Sequence, residues 1–231
     1  LSLHDALPIS GDSAGIRHPR DVLAAADPVG DAVLFQRAAT ILGLSVGALA
    51  PAEAAGLIEF GARVRFSHPL MRSAVYRAAD VNERRVVHRA LAEATDPEHD
   101  PDRRAWHFAH AATGPDDAVA ADLERSAGRA QSKGGVAAAA AFLERATVLT
   151  ADPALRAARA LAAAQAKRDA AAPAAAYELL TIAELGPLTD LQRAQVDRLR
   201  AQMEFARSRG GGSAGAGRLR PHMTRSGAGA A

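Results

Sequence analysis

The 231-residue sequence predicts a mainly α chain, a small winged-helix domain followed by an array of stacked helical hairpins. Three observations lead there. The composition is 48% hydrophobic but only 4% aromatic. Much of that apolar share is alanine, which favours helix because it loses no side-chain entropy and lets helix axes approach closely. Apolar residues recur at helical spacing between the turn signals Gly114-Pro115, Gly134-Gly135, Asp152-Pro153 and Gly186-Pro187. Only one short stretch, 57–66, reads as paired strands.

Taken in order, Leu1 to Ile9 read as the in-frame translation of a sequencing-library adapter. Residues 1–10 are therefore set aside, and with them His4 and Asp5 as a catalytic pair. Asp21 to Ala26 closes an apolar segment that Asp27-Pro28 breaks. Asp31 is placed to cap a helix carrying Val33, Leu34, Ala38, Ile41 and Leu42 on one face and stopping at Gly43. A short helix is expected from Pro51 to about Ala55, proline being suited to a first turn. Leu57–Phe60 and Arg63–Phe66 form a hairpin around Gly61-Ala62. Ser67-His68-Pro69 opens the next helix, with Leu70, Ala74, Val75 and Ala78 expected on its buried face. Helix, helix, hairpin, helix is the outline of a winged helix, assigned with the end of a preceding module to residues 11–95. Val81 to Thr95 is amphipathic and should bury Val87, Ala90, Leu91 and Ala94.

Residues 96–208 read as repeats. Helices are expected at 103–113, 116–132, 136–149, 153–170, 173–185 and 188–207. A shift of 37 residues lays Phe142-Leu143 on Leu179-Leu180. Ala164, Ala176, Leu180 and Ala183 fall where tetratricopeptide repeats place small, small, large and small packing residues. Such hairpins bury their apolar stripes only by stacking on neighbours. Residues 209–231 lose all periodicity, as a disordered or frameshifted tail would.

Charge narrows the function classes. The 28 basic and 26 acidic residues nearly balance, whereas a nucleic-acid surface gathers cations on one face. Arg84-Arg85 and Arg103-Arg104 are flanked by Glu83, Glu93, Asp100 and Asp102 and read as solvated faces. Without cysteine there are no disulfides or thiolate metal sites. No apolar run reaches the roughly 18 residues of a membrane span. No G-x-x-x-x-G-K-[ST] loop occurs to cradle phosphates, so no nucleotide hydrolase is expected.

The runs AAADPVGD (Ala24–Asp31), APAEAAGLIEFGARVRFSHPLMRSAVYRAA (Ala50–Ala79), HRALAEATDPEHDPDRRAWHFAHAA (His88–Ala112) and AAAAFLERA ending at Ala146 resemble the large LuxR-type ATP-binding regulators of actinobacteria. These are relatives of the maltose-regulon activator in the STAND class of signalling NTPases. The resemblance covers roughly Leu23 to Ala206, and RVRFSHPLMRSAVY is its most specific part. It implies an NTPase module, then a winged helix, a helical-repeat sensor and a terminal DNA-binding helix-turn-helix, of which this chain holds the middle. The expected function is thus a nucleotide-state relay and effector-interaction segment in the cytoplasm, with no activity and no cofactor of its own. The implied partners are the parent's NTPase core with its ATP or ADP, an effector protein or small molecule at the repeats, and a second copy in an oligomer. DNA would be reached only through the terminal domain, and no membrane is implied. The alternative is a stand-alone helical-repeat scaffold.

The resemblance singles out His68 within Phe66-Ser67-His68-Pro69-Leu70, similar to the winged-helix histidine that approaches bound ADP in STAND proteins. An imidazole can donate to a phosphate oxygen; equally, a histidine at a helix start can bond nearby backbone. Better-known members carry aspartate where Pro69 stands. Arg72 and Tyr76 share a helix face, either toward an NTPase core or as a solvated stack. His107 and His110 are spaced for one metal, but zinc needs at least three protein ligands. They are expected at the edges of a hairpin anchored by Trp106 and Phe108. Ser126 and Ser132 have no adjacent base.

Overall fold

A computed structural model describes residues 19–45 and 50–215 of the chain. The adapter-like start, with His4 and Asp5, and residues 216–231 of the tail lie outside the described residues. Among those described are eleven helices and one two-stranded sheet, so the chain is mainly α, a helical-hairpin array joined to a small winged-helix-like part.

The winged-helix-like part comprises α1 (Pro19–Ala26), α2 (Ala32–Ile41), α3 (Ala50–Ala54), the hairpin β1 (Ile58–Phe60) and β2 (Val64–Phe66), and α4 (Pro69–Ala78). Asp31 caps α2 as expected, accepting from the Val33 and Leu34 amides at 2.9 and 3.1 Å. The strands pair antiparallel with Glu59 opposite Arg65. Gly30 joins helix to hairpin. Its φ of +67° and the approach of Val64 leave no room for a Cβ, which would lie 2.2 Å from the Val64 carbonyl oxygen. The hydrogen bond from Val64 N–H to Gly30 C=O at 2.8 Å fixes that contact.

The core here comprises Leu23, Leu34, Phe35, Ile58 and Val64, closed by Val87 and Leu91 of α5 (Val81–Ala94). Each such side chain contributes roughly 1.5–3 kcal/mol by leaving water. Two helix faces differ from expectation. On α2, Val33 and Ile41 are exposed while Phe35 and Ala39 turn inward. On α4, Val75 alone is buried, Leu70 is 64% exposed, and Ala74 and Ala78 face solvent. The physical reason is where the support lies: α4 packs on α1 and β2, and Tyr76 reaches across to His88 of α5, while the turns carrying Leu70, Ala74 and Ala78 meet solvent. On α5, Val87, Ala90 and Leu91 are buried, and Ala94 partly so.

The array continues through α6 (Pro101–Ala111), α7 (Asp117–Ser132), α8 (Val136–Leu149), α9 (Pro153–Asp169), α10 (Pro173–Glu184) and α11 (Asp190–Gly215). From α5 to α10 each helix packs on the next. The starts are written in the sequence: Asp80, Asp100, Asp116 and Asp152 each accept a backbone N–H at the head of their helix. Ala164, Ala176, Leu180 and Ala183 are all fully enclosed, as their repeat positions predict. The α11 helix runs beyond Arg207 to Gly215. No helix among the described residues is long and apolar enough to cross a membrane.

Candidate functional site

The two parts meet where α6 crosses back toward α1, and Asp27 and Arg103 make that junction. Asp27 is 6% exposed and accepts from the amides of Val29 and Asp31 at 3.1 and 2.9 Å. Its carboxylate lies 2.5 Å from the Arg103 guanidinium, which also reaches Asp31 at 3.5 Å. Arg103 therefore is no solvated face residue, as its acidic neighbours in sequence suggested; its side chain is 16% exposed and spans the junction. Arg104 lies over the Phe108 ring at 5.0 Å.

A chain of rings runs alongside. The Tyr76 hydroxyl and His88 Nε2 are 2.7 Å apart, and His88 Nδ1 and His107 Nδ1 are 2.9 Å apart. His110 stacks on His88 with centroids 4.8 Å apart, and Trp106 meets His110 edge-on at 4.6 Å. This corrects the expectation for α6. His107 is 1% exposed at the centre of the packing, not at a hairpin edge, while Trp106 and Phe108 are only half-buried. The His88–His107 contact accommodates a single proton between its two nitrogens, so one ring donates and the other accepts.

Burial sets the electrostatics. Desolvation, followed by the charges of its neighbours His107, His110 and Arg84, pushes His88 down to about 3. His107 is lowered to about 4 by desolvation, with Asp27 opposing and Arg103 assisting. Desolvation and then Arg145 lower His110 to about 4. All three are neutral at physiological pH. Desolvation raises Tyr76 above its ordinary value, with Arg84, 5.4 Å from its ring centre, acting oppositely. No group of three or more His, Cys, Asp or Glu among the described residues is arranged to hold a metal ion.

Two clefts flank this junction. One, about 270 Å³, opens beside the hairpin between Arg63, Arg65, Pro69 and Arg72. His68 stands next to it as the N-cap of α4, exposed, with Nδ1 accepting from Leu70 N–H at 3.2 Å. The other, about 250 Å³, lies between Arg72, Tyr76, Arg77, His88, Trp106 and His110. Arg72 belongs to both, and its Nη1 donates to the Ala25 carbonyl at 3.3 Å instead of stacking on Tyr76. Ser126 and Ser132 are helix serines bonded to Asp122 and Arg129 carbonyls, each within its own helix. Sequence reasoning missed His88 and Asp27. His88 follows the buried Val87 and stands one turn before the buried Leu91, a spacing shared with residues at the edge of the apolar stripe. No protein-family model, no curated protein and no solved structure matches this chain.

Proposed function

We propose that this chain is the winged-helix and leading repeat segment of an ATP-dependent LuxR-type transcriptional regulator of the STAND class, acting in the cytoplasm as a relay between nucleotide state and effector binding. One observation supports it above the others. His68 stands exposed where the hairpin meets α4, beside a cleft lined by Arg63, Arg65 and Arg72. Three guanidinium groups lining one cleft, with His68 next in sequence to its lining residue Pro69, suit the phosphates of a nucleotide held by a neighbouring module. The second support is mechanical. Helix α5 packs on α1 and α2 on one side and on α6 on the other, so displacement of the wing is passed into the hairpins without a loop between.

On this reading the chain has neither catalysis nor a cofactor of its own. Its partners are the NTPase core that carries ATP or ADP, an effector at the repeats and further copies in an oligomer. DNA is contacted by another domain. DNA sequencing upstream of this reading frame tests the assignment: a phosphate-binding loop in frame supports it, and a whole gene starting near residue 11 turns it toward a free-standing scaffold. In the longer protein, His68→Ala should release ADP about tenfold faster, the effect of losing one charge-assisted bond. Unchanged ADP retention would show that His68 only caps α4.

A further inference from the structure

We propose that the cleft between α1, α4, α5 and α6 binds a small planar aromatic carboxylate, its anionic end between Arg72 and Arg77 and its ring beside Trp106. This cleft shares Pro28 and Arg72 with the nucleotide face but opens on α5 and α6, and the proposal stands whether or not the chain belongs to a regulator.

The charge of the cleft is one-sided. Arg72 and Arg77 line it, and no Asp or Glu does. Among the described residues neither guanidinium has a carboxylate partner; Arg72 makes one long bond to a carbonyl, and Arg77 makes no bond. Several other arginines, Arg103, Arg129, Arg159 and Arg200 among them, are by contrast paired with acids. Two planar forks without an acid partner that line the same cleft are suited to the oxygens of a carboxylate. Ser73 adds a hydroxyl on the same helix. Among the lining residues, His110 holds a buried Nε2 without a hydrogen-bond partner.

Size and wall chemistry decide between anions. At about 250 Å³ the cleft is smaller than an ordinary drug-sized site and fits one ring with its substituent. Ala25, Ala26, Pro28 and Trp106 give it an apolar wall. A bare phosphate leaves that wall against water, whereas an aromatic carboxylate covers it and keeps its charge at the arginines.

Trp106 is the only tryptophan in the sequence, so its indole N–H is a single assigned reporter inside the cleft. The full chain, labelled with 15N, is titrated with benzoate, benzamide or inorganic phosphate and read by amide and indole shifts. Benzoate should shift the Trp106 indole and the α4 amides saturably, with benzamide and phosphate each at least about tenfold weaker. Arg77→Gln, on an exposed side chain, should weaken benzoate about tenfold without changing the thermal melt, and Arg72→Lys should do likewise. The control Arg89→Gln, exposed on α5, should leave affinity unchanged. No saturation by about 20 mM benzoate, equal binding of benzamide or phosphate, or equal weakening by Arg89→Gln would each overturn the proposal.

Discussion

Replacing Arg103 with alanine should destabilise the junction by about 3 kcal/mol, the lower end of the range for breaking a buried ion pair. The lower end applies because the Asp27 carboxylate retains two amide donors, Val29 and Asp31, and Arg103 keeps slight contact with solvent. Asp27→Ala loses the same pair and both amide bonds. At about 1 kcal/mol for each bond it should cost about 4–5 kcal/mol. The double variant should cost little more than Asp27→Ala, giving a coupling energy of at least about 1.5 kcal/mol. Urea unfolding is followed by far-ultraviolet dichroism and by the fluorescence of Trp106, which lies on α6 three residues from Arg103. In a thermal scan, Arg103→Ala should lower Tm by about 6–12 °C for a chain of this size. Additive costs, or a loss below about 0.5 kcal/mol for Arg103→Ala, would refute the view that this pair fastens the two parts.

Two further outcomes follow from the same region. The histidine chain makes stability pH-dependent: its folded values of about 3 to 4 lie below the unfolded value of 6.5, so only the unfolded chain gains protons as pH falls between them. Stability should thus be full above about pH 6.5 and fall toward pH 4. The loss from pH 7 to 5 is about 2 kcal/mol for each histidine and on the order of 5 kcal/mol for the three, and His107→Leu should remove about a third of it, as read from urea midpoints at the two pH values. Gly30→Ala should cost at least about 3 kcal/mol by driving a Cβ onto a backbone oxygen. Gly43→Ala, at the same φ but in open space, should cost only about 1 kcal/mol; equal costs in denaturant titrations would remove the steric argument.

The helices and their ends were legible because they rest on local chemistry. Asp31 announces a helix start through a side-chain acceptor two and three residues from the amides it binds, and Asp80, Asp116 and Asp152 prove in the structure to follow the same rule. The Gly61-Ala62 hairpin and the tetratricopeptide-like positions Ala164, Ala176, Leu180 and Ala183 are likewise short-range or periodic signals. The junction was not legible for the opposite reason. Asp27 and Arg103 are 76 residues apart, and neighbouring acids along the chain gave Arg103 a false appearance of surface charge. His88 and His107 pair across two helices, and nothing local distinguishes a polar residue turned inward with a partner from one at an edge. The faces of α2 and α4 were misread where apolar spacing alone was used, because what lies opposite a helix decides which of its stripes is covered.

Because α5 is a party wall, the chain has no clean seam at Asp96. A piece ending there would leave His88 without the ring that shares its proton and Asp27 without its cation. A piece beginning there would open the flank of α6 to water. Whoever wishes to divide this protein for separate study should cut after Ala112 and keep α6 with the wing, accepting that the hairpins beyond it then need a new cap.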